Sequence, residues 1–147
     1  MKKMNNKGFS LVELIVVIAI MGVLMVILAP QYLRYVEKSR LQKDNTAISE
    51  LAENVKIALA EDDVYESVRN DSDVTVTVNG TQYAASNDEL ADELKLTVGN
   101  PTDVKLTSRT YDKATVTLKI DTTTKVFKVT SEDIITKVDG TPTATVF

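Results

Sequence analysis

The feature that most constrains this chain is a run of apolar residues from Phe9 to Ala29, in which Ser10 and Glu13 are the polar exceptions. At about 1.5 Å per residue, a helix over this run is roughly 31 Å long, the thickness of a bilayer's hydrocarbon core. Three lysines precede the run, and basic residues of this kind hold the adjoining end in the cytoplasm. The run therefore predicts one membrane-spanning helix near the start of the chain.

Three details separate this run from an ordinary export signal. Glu13 places a carboxylate where a charge costs about 2.5–3.5 kcal/mol at a span's centre and less near its end, so such an acid usually has a partner. Gly8 lies before the run, whereas a secretory signal carries its small-residue cleavage site after it. After Pro30 the helical pattern continues. An uncleaved signal anchor explains the charges and the length, but neither Gly8 nor the continuation.

The segment Lys7–Leu14 reads KGFSLVEL, and with the apolar run and Pro30 behind it, it strongly resembles the start of type IV pilins and pseudopilins. The resemblance is close as far as Arg40 and beyond that is one of architecture alone. It implies that a prepilin peptidase cuts between Gly8 and Phe9 and that the new amine of Phe9 is N-methylated. It also implies that Glu13 pairs with the Phe9 ammonium of a neighbouring subunit in a filament.

On this basis we expect a cleaved leader over residues 1–8, a transmembrane or filament-core half of the helix over 9–30, and a head over 31–147 that includes the amphipathic half. Gly22 and Pro30 weaken the helix, since glycine costs about 1 kcal/mol and proline about 3 kcal/mol in a helix interior. In several filaments of the resembled family this segment loses helicity on assembly. A simple kink at Pro30 is the alternative. Tyr32 and Tyr35 are expected at the membrane boundary.

A second helical pattern follows Gln31. Its apolar residues recur at spacings of three, four and seven and form one stripe. A helix from Phe9 to about Ala60 has about 52 residues and a length of roughly 78 Å, too long for a globular core alone. Asp44 lies close to the stripe and is expected to weaken its upper end. The stripe consists of Leu41, Ile48, Leu51, Ala52, Val55, Ala58 and Leu59.

After this helix the pattern turns to strands. Residues 61–63 are acidic and unfavourable at a helix C-terminus, so either the helix continues through Val64–Val68 or that segment is a separate turn. Residues 70–73 end any helix and lack the ligand spacing and glycine of a calcium loop, which favours a solvated loop. Asn79-Gly80 predicts a hairpin between Val74–Val78 and residues 81–84.

Ser86 and Glu89 form a capping-box pattern that predicts a short helix to about Lys95. Alternating residues then predict strands with one apolar face, which means a sheet covered on one side. The fold class is therefore α+β, with a long N-terminal helix packed on an antiparallel sheet, as in pilins. The predicted strands are Val104–Arg109, Ala114–Ile120 and Lys125–Thr130, with a last hairpin between Ile134–Val138 and Thr143–Phe147.

The composition leaves little for catalysis. There is no histidine and no cysteine, which removes the usual general base, the thiol nucleophile and most transition-metal sites. No glycine-rich phosphate loop appears, so we expect no enzyme, no metal and no cofactor. The formal net charge is −4 and becomes more negative without the first eight residues, so the head is not expected to bind nucleic acid.

The predicted function is a prepilin, the structural subunit of a type IV pilus for motility or adhesion. It begins as a single-pass membrane precursor and ends as a homo-oligomeric extracellular filament. Its expected partners are a prepilin peptidase, an assembly ATPase with its membrane platform protein, and copies of itself. One alternative is a pseudopilin of a type II secretion or DNA-uptake apparatus. A second is a non-polymerising, signal-anchored surface domain.

Overall fold

The computed structural model describes residues 9–111, 114–122, 128–131 and 145–146. The chain divides into two compact units, which we call the first unit (up to Val36) and the second unit (from Glu37 onward). Helix α1, Leu11–Ala58, forms the regular structure of the first unit and is also the first element of the second. It ends two residues before the predicted position.

The predicted stripe on α1 is confirmed in the second unit. Its members from Ile48 to Leu59 are buried, and Leu41 is half-buried against the same cluster. The acidic residues that follow belong to a separate helix, α2, Asp62–Asn70. Asp62 and Asp63 occupy its first turn, where the helix dipole favours negative charge. The acids that would destabilise the end of α1 therefore stabilise the start of α2.

The described strands are β1 Thr75–Val78, β2 Tyr83–Ala85, β3 Val116–Asp121, β4 Lys128–Ser131 and β5 Thr145–Val146. They form one antiparallel sheet with the strand order β2-β1-β3-β4-β5. The predicted hairpin is confirmed, with Val78 opposite Tyr83 beside a four-residue turn. In that turn the side-chain oxygen of Asn79 accepts the backbone N–H of Thr81 and of Gln82, both at 2.9 Å.

One apolar core joins the helices to the sheet. Val116, Leu118 and Ile120 alternate inward along β3, as predicted, while Lys119 between them is exposed. Together with the stripe of α1 they form a single buried cluster. Helix α2 adds Val64 and Val68 to it, and a third helix, α3 (Asp88–Thr97), adds Leu90 and Leu94. The α+β class and the helix-on-sheet arrangement are thereby confirmed.

The predicted cap of the short helix is wrong by one residue. Helix α3, Asp88–Thr97, is capped by Asn87, whose side-chain oxygen accepts the N–H of Leu90 at 3.1 Å. The hydroxyl of Ser86 is used differently, because it accepts the N–H of Thr75 at 3.0 Å and holds the start of β1. The N–H of Ser86 also donates to the carbonyl of Thr75, so Ser86 is bound to β1 directly after the end of β2.

The strand predicted at Val104–Arg109 is also wrong. After a short 3₁₀ helix, Pro101–Asp103, these residues have no strand partner. The backbone N–H groups of Thr107 and Ser108 donate to the carboxylate of Asp44 on α1 instead. Donors that a sheet ladder would use are therefore bound to a helix side chain. Of the later predictions, Ile134–Val138 lies outside the described residues, and β5 pairs with β4.

Candidate processing and assembly site

Glu13 lies in the first turn of α1, the third helical residue after Ser10. Its Oε2 accepts the backbone N–H of Ser10 at 2.8 Å. The first four N–H groups of a helix have no partner within it, and a glutamate at this position satisfies a donor just outside it. The negative charge also complements the positive end of the helix dipole. Glu13 therefore stabilises the start of α1 in the single chain.

Glu13 is exposed. Phe9, four residues earlier, is also exposed, with a relative accessibility of 80%. Phe9 lies two residues before α1 begins at Leu11. The expected new N-terminus is therefore four residues from Glu13. Gly8 lies outside the described residues. The structure thus brings Ser10 and Glu13 together and leaves the acid available to a partner from outside the chain.

The large apolar residues of the first unit that the structure describes are exposed from Phe9 to Tyr35. Those from Leu11 to Leu28 are exposed along all sides of α1. Within the described residues, α1 is the one helix long and apolar enough to cross a membrane by length and composition. A continuous apolar surface on every side of a helix is not stable in water and requires lipid or other apolar helices.

Gly22 and Pro30 both lie inside α1, which is helical through the whole segment. A Cβ built on Gly22 meets nothing within 4 Å, so no close contact in the single chain requires a glycine there. Neither the melting of this segment nor a kink at Pro30 is decided by this observation, and both stay predictions.

Sequence reasoning missed the part played by Ser10. The signal was present, because a serine followed three residues later by a glutamate at the start of an apolar helix is the capping-box spacing. Here the main-chain N–H of Ser10 makes the bond with Glu13. The hydrogen bond between Glu13 and Ser10 thus caps the helix within one chain and needs no second subunit.

Residues 3–29 match the family model described as the prokaryotic N-terminal methylation motif. Over 100 residues the chain is 35% identical to prepilin peptidase-dependent protein A of Clostridium perfringens. This alignment covers 63% of this chain and 70% of that protein. The chain belongs to the type IV pilin-like, prepilin-type family.

Other relatives match over shorter stretches. The type IV major pilin protein PilA of Myxococcus xanthus is 32% identical over 67 residues, 46% of this chain and 30% of PilA. The type IV major fimbrial protein FimA of Dichelobacter nodosus is 44% identical over 41 residues, 28% of this chain and 26% of FimA. No solved structure matches this prepilin-type chain significantly. The relatives named here are structural pilins or a prepilin-type protein, and their names state no enzymatic activity.

Proposed function

We propose that the chain is the precursor of a type IV pilus subunit, cut after Gly8, N-methylated at Phe9 and polymerised into an extracellular filament. Before assembly it is held in the cell membrane by the apolar part of α1. Its partners are a prepilin peptidase, an assembly ATPase with its membrane platform protein, and copies of itself. Two relatives named as major pilin or major fimbrial proteins support a pilus subunit.

The observation that carries the proposal is the exposed acid at the start of an uncovered apolar helix. Helices of this kind bundle in a filament core, where lipid contacts are exchanged for contacts between copies. Glu13 is then a buried charge, and the Phe9 ammonium of a neighbour compensates it. Such a pair fixes register more than it adds stability, whereas removing one partner costs about 3–5 kcal/mol because the other charge stays buried and unpaired.

The test compares Glu13→Gln and Glu13→Ala with the wild-type chain in cells that have the pilus machinery. Both variants are expected to insert and to be cut after Gly8, and both are expected to reduce the sheared filament fraction by more than about tenfold. Glu13→Gln retains an oxygen for the N–H of Ser10, so it separates loss of the charge from loss of the cap.

Glu50→Gln supplies the matched control, since Glu50 is an exposed acid on the same helix in the second unit. We expect it to leave the filament yield unchanged. Wild-type yield from Glu13→Gln would contradict the charge pairing and leave Glu13 a helix-capping residue. A chain that is cut normally but is found only in short, scarce assemblies would favour the pseudopilin alternative.

A further inference from the structure

Five exposed basic residues lie on the first part of α1 in the second unit or on the segment bound to it, and we call them the basic collar. Three are on α1 and two are on the segment that α1 holds through Glu37 and Asp44. Glu37 accepts the backbone N–H of Arg109, and Asp44 accepts those of Thr107 and Ser108. All five basic residues are exposed. They are Lys38, Arg40, Lys43, Lys105 and Arg109.

The collar lies around α1 and not on a single face. At about 100° per helical residue, Lys38 and Lys43 lie about 110° to either side of the face that carries Glu37 and Asp44, and Arg40 lies about 50° from that face. The segment with Lys105 and Arg109 covers the front. Positive charge is therefore present on more than half of the circumference of this part of the helix.

The acids of this region, Glu37 and Asp44, are two negative charges against the five positive charges of the collar, so they offset only part of it. Glu37 and Asp44 direct their carboxylates to backbone N–H groups, and Asp44 is 1% exposed. Within the part of the chain that the structure describes, no collar residue forms an ion pair. Lys56 and Lys95, by contrast, pair with Glu53 at 3.0 Å and Asp92 at 2.7 Å. In a chain of net charge −4, an unpaired group of five bases is a local exception.

The position of the collar in the sequence indicates what it faces. Lys38 follows Tyr35 by three residues, and tyrosines are enriched where a helix leaves the membrane. A flat layer of headgroups surrounds an emerging helix on all sides, whereas a protein partner covers one face. Charges distributed around α1 therefore fit a membrane surface better than a second chain.

We propose that the basic collar binds the anionic phosphate headgroups in the outer leaflet of the cell membrane that α1 spans. This contact holds the second unit on the membrane surface until the subunit is extracted from the membrane. The inference rests on the membrane-anchored precursor of the proposed function. Each Lys or Arg near an anionic surface strengthens association by roughly fivefold. Extraction into a filament then has to release these contacts.

The experiment uses the uncut full chain, one copy per nanodisc. Because the chain contains no cysteine, Ser39→Cys provides a single site for a fluorescent dye within the collar, on an exposed residue. The discs are phosphatidylcholine or phosphatidylcholine with about one third phosphatidylglycerol, each with a trace of lipid carrying a nitroxide on its headgroup. Quenching of the dye reports how close the collar lies to the headgroups.

We expect stronger quenching in the anionic discs and loss of the difference in about 1 M salt, where the Debye length is about 3 Å. The triple variant Lys38→Gln, Arg40→Gln, Lys43→Gln is expected to lose the difference as well. The matched control, Lys56→Gln, Arg69→Gln, Lys95→Gln, removes the same charges elsewhere and is expected to retain it. Circular dichroism of both triple variants checks that the fold is intact.

Equal quenching in the two kinds of disc would overturn the proposal. So would a salt-sensitive change that appears only when several chains share a disc, because the collar would then bind a second copy. Since the chain in this test is neither cut nor assembled, the result is independent of filament formation. Failure of the proposed function would instead appear as missing cleavage or missing filaments.

Discussion

The buried carboxylate of Asp44 accepts the backbone N–H of Ser108 at 2.7 Å and that of Thr107 at 2.9 Å, across more than sixty positions of the sequence. This contact fixes the segment before β3 against α1. Tyr111 adds a further attachment, because its hydroxyl donates to the side-chain oxygen of Asn45 at 2.9 Å. The segment is therefore held by polar side chains of the helix and not by a neighbouring strand.

Asp44→Ala is expected to destabilise the second unit by about 3 kcal/mol, because it leaves a buried N–H without an acceptor. Hydrogen exchange of the amides of Thr107 and Ser108 should become faster, and the urea midpoint of the full chain in detergent should fall. Glu50→Ala, an exposed acid of the same helix, serves as the control. Unchanged exchange at both amides in Asp44→Ala would show that the contact does not stabilise the segment.

Asn87→Ala should cost about 1–2 kcal/mol through loss of the N-cap of α3. The side chain of Asn87 also donates to the hydroxyl of Ser67 at 2.9 Å, so the same change loosens the contact between α2 and α3. Asn87→Ser retains a capping oxygen and is expected to recover part of the loss. Equal stability of the alanine and serine variants, from urea unfolding, would argue against the cap.

The second unit should lose stability in alkali through Tyr83. Burial raises the pKa of Tyr83, whose hydroxyl donates to the carbonyl of Gly99 at 2.7 Å. A pKa raised in the folded state means that the stabilisation is complete below the ordinary value of about 10 and is lost as pH rises through the folded value. Urea unfolding between about pH 8 and pH 11 should therefore show a smaller loss for Tyr83→Phe than for the wild-type chain. Parallel pH curves would contradict this assignment.

Gly22→Ala tests whether the Gly22–Pro30 segment melts during assembly. Alanine has room at this position and favours the helix by about 1 kcal/mol, so insertion and cleavage should be normal. If assembly requires this segment to unwind, the yield of sheared filament falls, while the neighbouring control Val23→Ala assembles normally. A wild-type yield of sheared filament from Gly22→Ala would contradict melting of the segment and favour a simple kink at Pro30.

Residue periodicity predicted the elements whose burial follows a regular pattern. The stripe of α1 and the alternation along β3 were visible because packing against one core repeats every 3.6 or every 2 residues. The first hairpin was visible from Asn79-Gly80, although the amide of Asn79 organises a turn of four residues.

The errors came from polar side chains whose partners are distant in sequence. In the sequence, Asp44 only interrupts an apolar stripe, because no neighbouring residue indicates that it binds residues 107 and 108. The same contact removed the strand predicted at Val104–Arg109. Ser86 and Asn87 are both favourable N-cap residues. The hydroxyl of Ser86 binds Thr75 of β1, so Asn87 caps α3 instead. Gly8 and Phe9 were identified by resemblance, and their processing stays a prediction.

The most direct test of the central proposal is the intact mass and N-terminal fragmentation of the protein sheared from the surface of cells. The account predicts a chain that starts at N-methylated Phe9 and is present in the sheared fraction. A chain that retains residues before Phe9 and is found only in membranes would contradict it. That outcome would leave a signal-anchored α+β domain that does not polymerise.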